Sequence, residues 1–259
     1  MDLPEYLQGL SFRFVQPEQQ PSRAARVATA ALARLRAPLD AWNTRLPLDG
    51  SQMHRRLRLS RVGRVARPLA VRAILNRGVT QLAAREAFVA YGLGEGDPLL
   101  AAIVGNSEKL CVGVKESDAP HGDTFRRRFD ELANAERHFI ESSFNACLAR
   151  LEERAIGLCF LSAASHEPIA RRFTLCEPHL AENAYVLLDN CNCERTRQAA
   201  FDFMQASGNQ YRVLVDARAT EASPLTYGRG LLVIQLLGRN TAARPRSLPA
   251  TPPVLLPAA

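Results

Sequence analysis

From residue 87 onward, short apolar runs alternate with stretches in which apolar positions recur every three or four residues. The runs at 87–91, 110–115, 137–141, 156–161, 184–189, 211–216 and 230–237 read as strands, and the stretches between the first five pairs read as helices. Strands that alternate with helices in this way predict an α/β fold with a parallel, doubly wound sheet. The last two runs, YRVLVDAR and GLLVIQLL, are separated by loop residues that include Pro224 and Gly228, so they are expected to close the sheet as an antiparallel pair.

The N-terminal third is patterned differently. Residues 1–21 carry Phe12, Phe14 and three prolines and read as an extended arm. Ser22 is placed to cap a helix over 22–36, in which Val27, Ala31 and Leu35 share a face, and Pro38 is expected to close it. A loop is expected over 42–50 and a further helix over 68–82. Five prolines in 243–259 predict a loose tail. The organisation expected is therefore a basic helical extension over 1–68, an α/β domain over 69–240 and a Pro-rich tail over 241–259.

Composition supports this picture and adds a charge asymmetry. With 259 residues and 47% apolar content, the chain can bury a full α/β core. No apolar run approaches the roughly 20 residues needed to span a bilayer, and 1–20 is acidic and mixed rather than basic then apolar, so a cytoplasmic location is expected. The six cysteines at 111, 147, 159, 176, 191 and 193 show no CxxC spacing and read as free thiols.

Of the net +7, residues 1–85 carry 15 Arg or Lys against 5 Asp or Glu, which leaves the remainder acidic. The densest basic run, His54 to Arg67, is suited to an acidic protein or an anionic surface, or it is a solvated arginine-laced face. Few aromatics interleave it to stack on bases, so nucleic acid is not the expected partner.

Candidate chemistry begins where the first strand run ends in Gly92-Leu93-Gly94-Glu95-Gly96. Glycines between a strand and a helix allow backbone conformations closed to other residues and a close approach to a ligand. The helix start that follows favours negative or polar ligand groups. A dinucleotide fingerprint would place its third glycine at position 97, which is Asp97. That departure leaves a nicotinamide-dependent reductase as a distant reading.

Six phrases, AILNRGVTQL, FVAYGLGEGD, IVGNSEKLCVGV, IGLCFLSAASHEP, YVLLDNCN and GNQYRVLVDAR, resemble in wording and order the class I S-adenosylmethionine-dependent methyltransferases, of the bacterial subgroup that modifies sugars and other small molecules. The resemblance spans about two thirds of the chain. It implies a Rossmann-like seven-stranded sheet with the last strand antiparallel, S-adenosylmethionine as cofactor, and O-methylation of a small hydroxylated acceptor.

Residue by residue, the resemblance implies that Gly92, Gly94 and Gly96 surround the methionine part of the donor, and that Glu141 lies near adenine. Ser142 and Ser143 are alternatives to Glu141. The ribose-binding acid expected after the second strand is Lys115 here, with Glu116 one place later, and a lysine offers no acceptor. After the fourth strand, an acidic segment is replaced by Ser162-Ala163-Ala164-Ser165, followed by His166 and Glu167.

Asp189-Asn190 resembles the pair that helps hold magnesium in metal-dependent members. With Ser162 in place of the third acid, such a site is one carboxylate short. Asp189 is equally readable as a strand-end acid that caps the next helix. His166, Asp189 and Asn190 are the expected acceptor-side residues. His121 reads as a loop histidine or a general base, Arg171 and Arg172 as an exposed face, and Tyr227 as pocket lining or packed aromatic. The eroded acids also admit a catalytically inactive methyltransferase-like module that binds a partner through its basic segment.

Overall fold

The computed structural model describes residues 1–13, 36–47, 50–61, 67–115, 122–162, 168–218 and 226–239. Seven strands form one sheet: β3 (Glu86–Tyr91), β4 (Leu110–Val114), β5 (His138–Glu141), β6 (Ala155–Ser162), β7 (Leu180–Asp189), β8 (Gln210–Ala217) and β9 (Leu231–Gly238). Their order is β5-β4-β3-β6-β7-β9-β8, and a separate two-stranded ribbon pairs β1 (Ser11–Phe12) with β2 (Thr44–Arg45). β5 to β7 run parallel, and β9 lies antiparallel between β7 and β8. This is the doubly wound sheet that the alternation predicts, with the reversed last strand that the resemblance implies. The two expected closing strands do pair, but β9 inserts between β8 and the parallel strands.

The middle stretches of the central strands, 87–91, 156–161 and 184–188, carry no charged side chain because each face has its own core. Phe88, Ala90, Phe160 and Leu187 point into one cluster. Ala87, Val89, Cys159, Leu161 and Val186 point into the other. Period-two alternation between two buried faces produces the continuous apolar runs seen in the sequence.

The first face is covered by α4 (Leu69–Thr80) and α5 (Asp97–Ile103). Asn76 fastens them, its amide donating to the carbonyls of Ala101 at 2.7 Å and Val104 at 2.8 Å, at the end of α5. On the second face lie α7 (Phe144–Leu151), α8 (Ile169–Cys176) and α9 (Glu194–Ser207). Beside α5, α6 (Asp123–Leu132) buries Phe125 in the first core.

The N-terminal segment corrects several expectations. Instead of an extended arm, residues 3–9 form α1 (Leu3–Gly9), with Leu3 and Tyr6 buried in the first core. Its start is a capping box: Asp2 Oδ1 accepts from the Glu5 N–H at 2.8 Å, and Glu5 Oε2 from the Asp2 N–H at 3.1 Å. Pro38 lies within α2 (Arg36–Asn43) rather than closing a helix. The expected loop at 42–50 contains the end of α2, β2 and the first residue of α3 (Gly50–Leu57). The helix expected at 22–36 lies almost wholly outside the described residues, as do 241–259.

Buried polar groups tie α2 and α3 to α4. Asp40 Oδ2 accepts the Leu69 N–H at 2.8 Å and so caps α4 from a distant element. Arg72, itself buried, donates to the Leu57 carbonyl at 2.7 Å and to the Arg67 carbonyl at 2.9 Å. Of the basic run, Arg55, Arg56 and Arg58 are exposed, whereas Arg67 is largely buried. Five cysteines are buried and Cys193 is exposed, all free thiols. No helix among the described residues is long and apolar enough to cross a membrane.

His138, at the start of β5, is expected to make the fold sensitive to acid. Its Nδ1 accepts the Asn134 N–H at 2.8 Å, which leaves the proton on Nε2, 3.3 Å from the Asn106 carbonyl. Burial lowers its pKa, so it contributes stability above the ordinary histidine value near 6.5, and that stability is lost as pH falls. Thermal melts between about pH 7.5 and 5.5 should show a decline that flattens in H138Q, with at most one proton, about 1.4 kcal/mol per pH unit, involved. An unchanged slope in H138Q would assign the decline to other groups.

Candidate functional site

The carboxyl ends of the parallel strands share one edge of the sheet. Ser162 pairs in register with Asp189, and Tyr91 with Val114 on one side and Leu161 on the other. In open α/β sheets this edge is where ligands bind.

The chain turns sharply after β3. Gly92, Gly94 and Gly96 all have positive φ, at 88°, 56° and 95°. Their surroundings differ. A Cβ on Gly96 would lie 2.1 Å from the Phe125 ring, so this glycine is required by packing. A Cβ on Gly94 would meet no described atom within 4 Å, so here the backbone faces open space. Leu93 between them is buried, and a Cβ on Gly113 of β4 would be 2.8 Å from its methyl groups. The turn is thus held by packing on both sides of an open Gly94, which fits a nucleotide-type donor lying against the backbone.

Beside the turn stands an ion cluster that the sequence did not reveal. Arg67 Nη1 donates to Asp97 Oδ1 at 2.7 Å, its backbone N–H to Asp97 Oδ2 at 2.9 Å, and its Nε to Asp189 Oδ2 at 2.7 Å. Nη2 lies 3.4 Å from Ser162 Oγ, and the guanidinium sits 4.9 Å over the Phe160 ring. Alternation explains the meeting, because Phe160 and Ser162, like Leu187 and Asp189, share the sheet face covered by α4 and α5. Burial alone would lower the Arg67 pKa, but Asp189 and then Asp97 outweigh it and hold the guanidinium charged.

Asp189 is therefore an ion-pair partner of Arg67, and the residue that precedes α9 as its cap is Cys193. Asn190 has φ 59°, and the loop behind it is pinned to the approach to β9 by the Cys191 N–H on the Gly230 carbonyl at 3.3 Å and the Asn192 N–H on the Arg229 carbonyl at 2.9 Å.

Arg172 is a second correction. It is not on an exposed face but 1% exposed, donating through Nη1 to the Ser162 carbonyl and lying 5.7 Å over the Tyr91 ring. Helical spacing carried that signal, since Ile169, Arg172, Phe173 and Cys176 share the buried stripe of α8. Asp97, in the otherwise apolar DPLLAAI, was readable as a buried acid in need of a partner.

On the far side of the turn, Glu141 ends β5 and its Oε1 accepts from Arg150 Nε at 2.6 Å. Ser143 Oγ accepts the Ala146 N–H at 3.2 Å and caps α7. Lys115 follows β4, its N–H on the Glu141 carbonyl at 2.8 Å. Tyr227 packs edge-on against Phe12, ring centroids 5.1 Å apart. Glu116, His121 and the 163–167 segment with His166 lie outside the described residues.

No group of three His, Cys, Asp or Glu among the described residues is arranged to hold a metal ion. Among the described residues, the oxygen donors gathered on the Arg67 guanidinium are the Ser162 hydroxyl and the Asp97 and Asp189 carboxylates, both already engaged by it, and such a set does not fit magnesium, which wants several free oxygen ligands.

No protein-family model matches the chain, and no curated protein matches it by sequence. Among solved structures, cofactor-bound Rv0187 from MTB superposes with a TM-score of 0.51 at 13% identity, over 86% of this chain and 100% of that one. What the two share is the fold: a doubly wound, Rossmann-like sheet with its last strand reversed. An O-methyltransferase from Bacillus cereus in complex with SAH gives 0.49 at 13% identity, over 73% and 92%. A chain from Streptococcus mutans described as a SAM-dependent methyltransferase gives 0.49 at 10% identity over 65% of this chain, which spans about half (49%) of that one.

Proposed function

We propose that this chain is an S-adenosylmethionine-dependent methyltransferase that methylates a hydroxyl oxygen of a small metabolite, a sugar among the candidates. The observation that carries the reading is the glycine turn at the end of β3, where Gly94 presents left-handed backbone to open space between packed neighbours. Gly92, Gly94 and Gly96 would hold the methionine end of the donor, with Glu116 and Glu141 toward its nucleoside. Asp189, Asn190 and His166 would stand on the acceptor side, since β7 ends on the same edge of the sheet as the turn, with only β6 between β7 and β3.

When bound, S-adenosylmethionine supplies a methyl group already activated on a sulfonium. The protein's share is then to place the acceptor oxygen in line and to accept its proton. Arg67 holds Asp189 at one position through its Nε, so the polar edge facing the acceptor is fixed before any ligand arrives. With an acceptor hydroxyl of low pKa, that positioning supplies most of the advantage.

A second reading, a methyltransferase-like module without catalysis, draws on the engagement of Asp189 by Arg67 and on the exposed Arg55, Arg56 and Arg58, which suit an acidic partner or anionic surface. Incubation with methyl-labelled S-adenosylmethionine and a panel of hydroxylated metabolites separates the two. Label transfer that S-adenosylhomocysteine inhibits is the expected result. Donor binding without transfer to any acceptor would favour the second reading.

A further inference from the structure

Arg67 comes from the segment ahead of α4, yet it ends among residues 30 and 122 positions away. The side chain of Asp97 is 1% exposed and that of Asp189 15%, and the Arg67 side chain between them is also 15% exposed. Two carboxylates this far from water need a cation, since a buried charge without a partner is strongly disfavoured. Among the described residues, Arg67 is the cation placed in ion-pair contact with both.

We infer that Arg67 is a built-in cation at the carboxyl ends of β3, β6 and β7, standing where the Asp189 region would otherwise take a divalent metal and making the site independent of one. Three features support this beyond a structural ion pair. The guanidinium reaches toward Ser162, the strand-end position that pairs in register with Asp189, so the arginine spans the same donors that an ion would. It binds Asp97 twice, through side chain and backbone, which fixes Arg67 itself and not only its tip. Its carbonyl in turn accepts from Arg72, which is anchored on Leu57, so the occupant is held from both ends. Arg67 is thus a positioning residue for Asp97 and Asp189, and the inference stands apart from whether a methyl donor binds.

The test compares metal responses of the full chain without donor. Wild-type melts should be the same in chelator and in about 10 mM magnesium or manganese, and manganese titration should give no heat. Arg67→Ala removes the charge and leaves room for a hydrated ion. Its melting temperature should fall by about 10 °C in chelator. It should recover by about 5 °C or more in about 10 mM magnesium or manganese, as linkage to a site of sub-millimolar affinity requires.

Arg67→Met removes the charge but fills the space, and should stay low with or without metal. The recovery should vanish when Asp189→Asn is added to Arg67→Ala. Wild-type manganese binding that is lost in Asp189→Asn would overturn the inference, as would a folded Arg67→Ala indifferent to metal. If Arg67→Ala does not fold, the wild-type and Asp189→Asn titrations decide: no heat in either supports the built-in cation, and wild-type heat lost in Asp189→Asn contradicts it.

Discussion

Gly94→Val should weaken S-adenosylhomocysteine binding by about 100-fold or more, close to 2.7 kcal/mol, while the protein remains folded. Two effects combine at this position. A β-branched residue at φ 56° is strained by roughly 1–2 kcal/mol, and its methyl groups would fill the open space that the glycine backbone now faces. Because no described atom lies within 4 Å of the added Cβ, the packing of the fold is spared and only the strain reaches the melting temperature. Gly94→Ala should show a smaller loss in the same direction. Affinity within threefold of wild type for the valine variant, measured calorimetrically, would remove the glycine turn from the donor site.

Gly96→Ala should be far more damaging to stability than to any ligand contact. Its Cβ would fall 2.1 Å from the ring of Phe125, which is 1% exposed, and φ is 95°. Strain at such a backbone angle together with forced repacking of a buried aromatic gives an expected loss of about 3 kcal/mol or more. For a domain of this size that is a fall in melting temperature of roughly 6–12 °C. Combining it with Phe125→Ala should cost less than the two single changes added, because removing the ring removes the collision. Strict additivity of the pair, read from denaturant unfolding, would show that the backbone angle and not Phe125 makes Gly96 necessary.

The sheet was legible because parallel strands buried on both faces leave unbroken apolar runs, and the glycines mark a sharp turn between strand and apolar helix. Strand ends at 91, 114, 141 and 189 fall within a residue or two of their reading. The helix at 3–9 escapes a reading that weighs Phe12, Phe14 and the three prolines of residues 1–21 as an arm, although Asp2, Pro4 and Glu5 spell an N-terminal cap. Arg67 was not readable at all. Its partners are distant in sequence, and within a run of arginines nothing local separates the one that is buried from those that are solvated. Arg172 was readable by helical spacing and was misread by its neighbour Arg171, which is exposed. Asp189 was correctly placed at a strand end, yet its chemistry depends on a side chain 122 residues earlier.

The most direct measurement is calorimetric titration of the wild-type protein and Gly94→Val with S-adenosylmethionine and S-adenosylhomocysteine, in chelator and in magnesium. The account predicts wild-type binding in the micromolar range, about −8 kcal/mol, unaffected by chelator and lost in the valine variant. Absence of heat and of thermal stabilisation at roughly millimolar donor would contradict it.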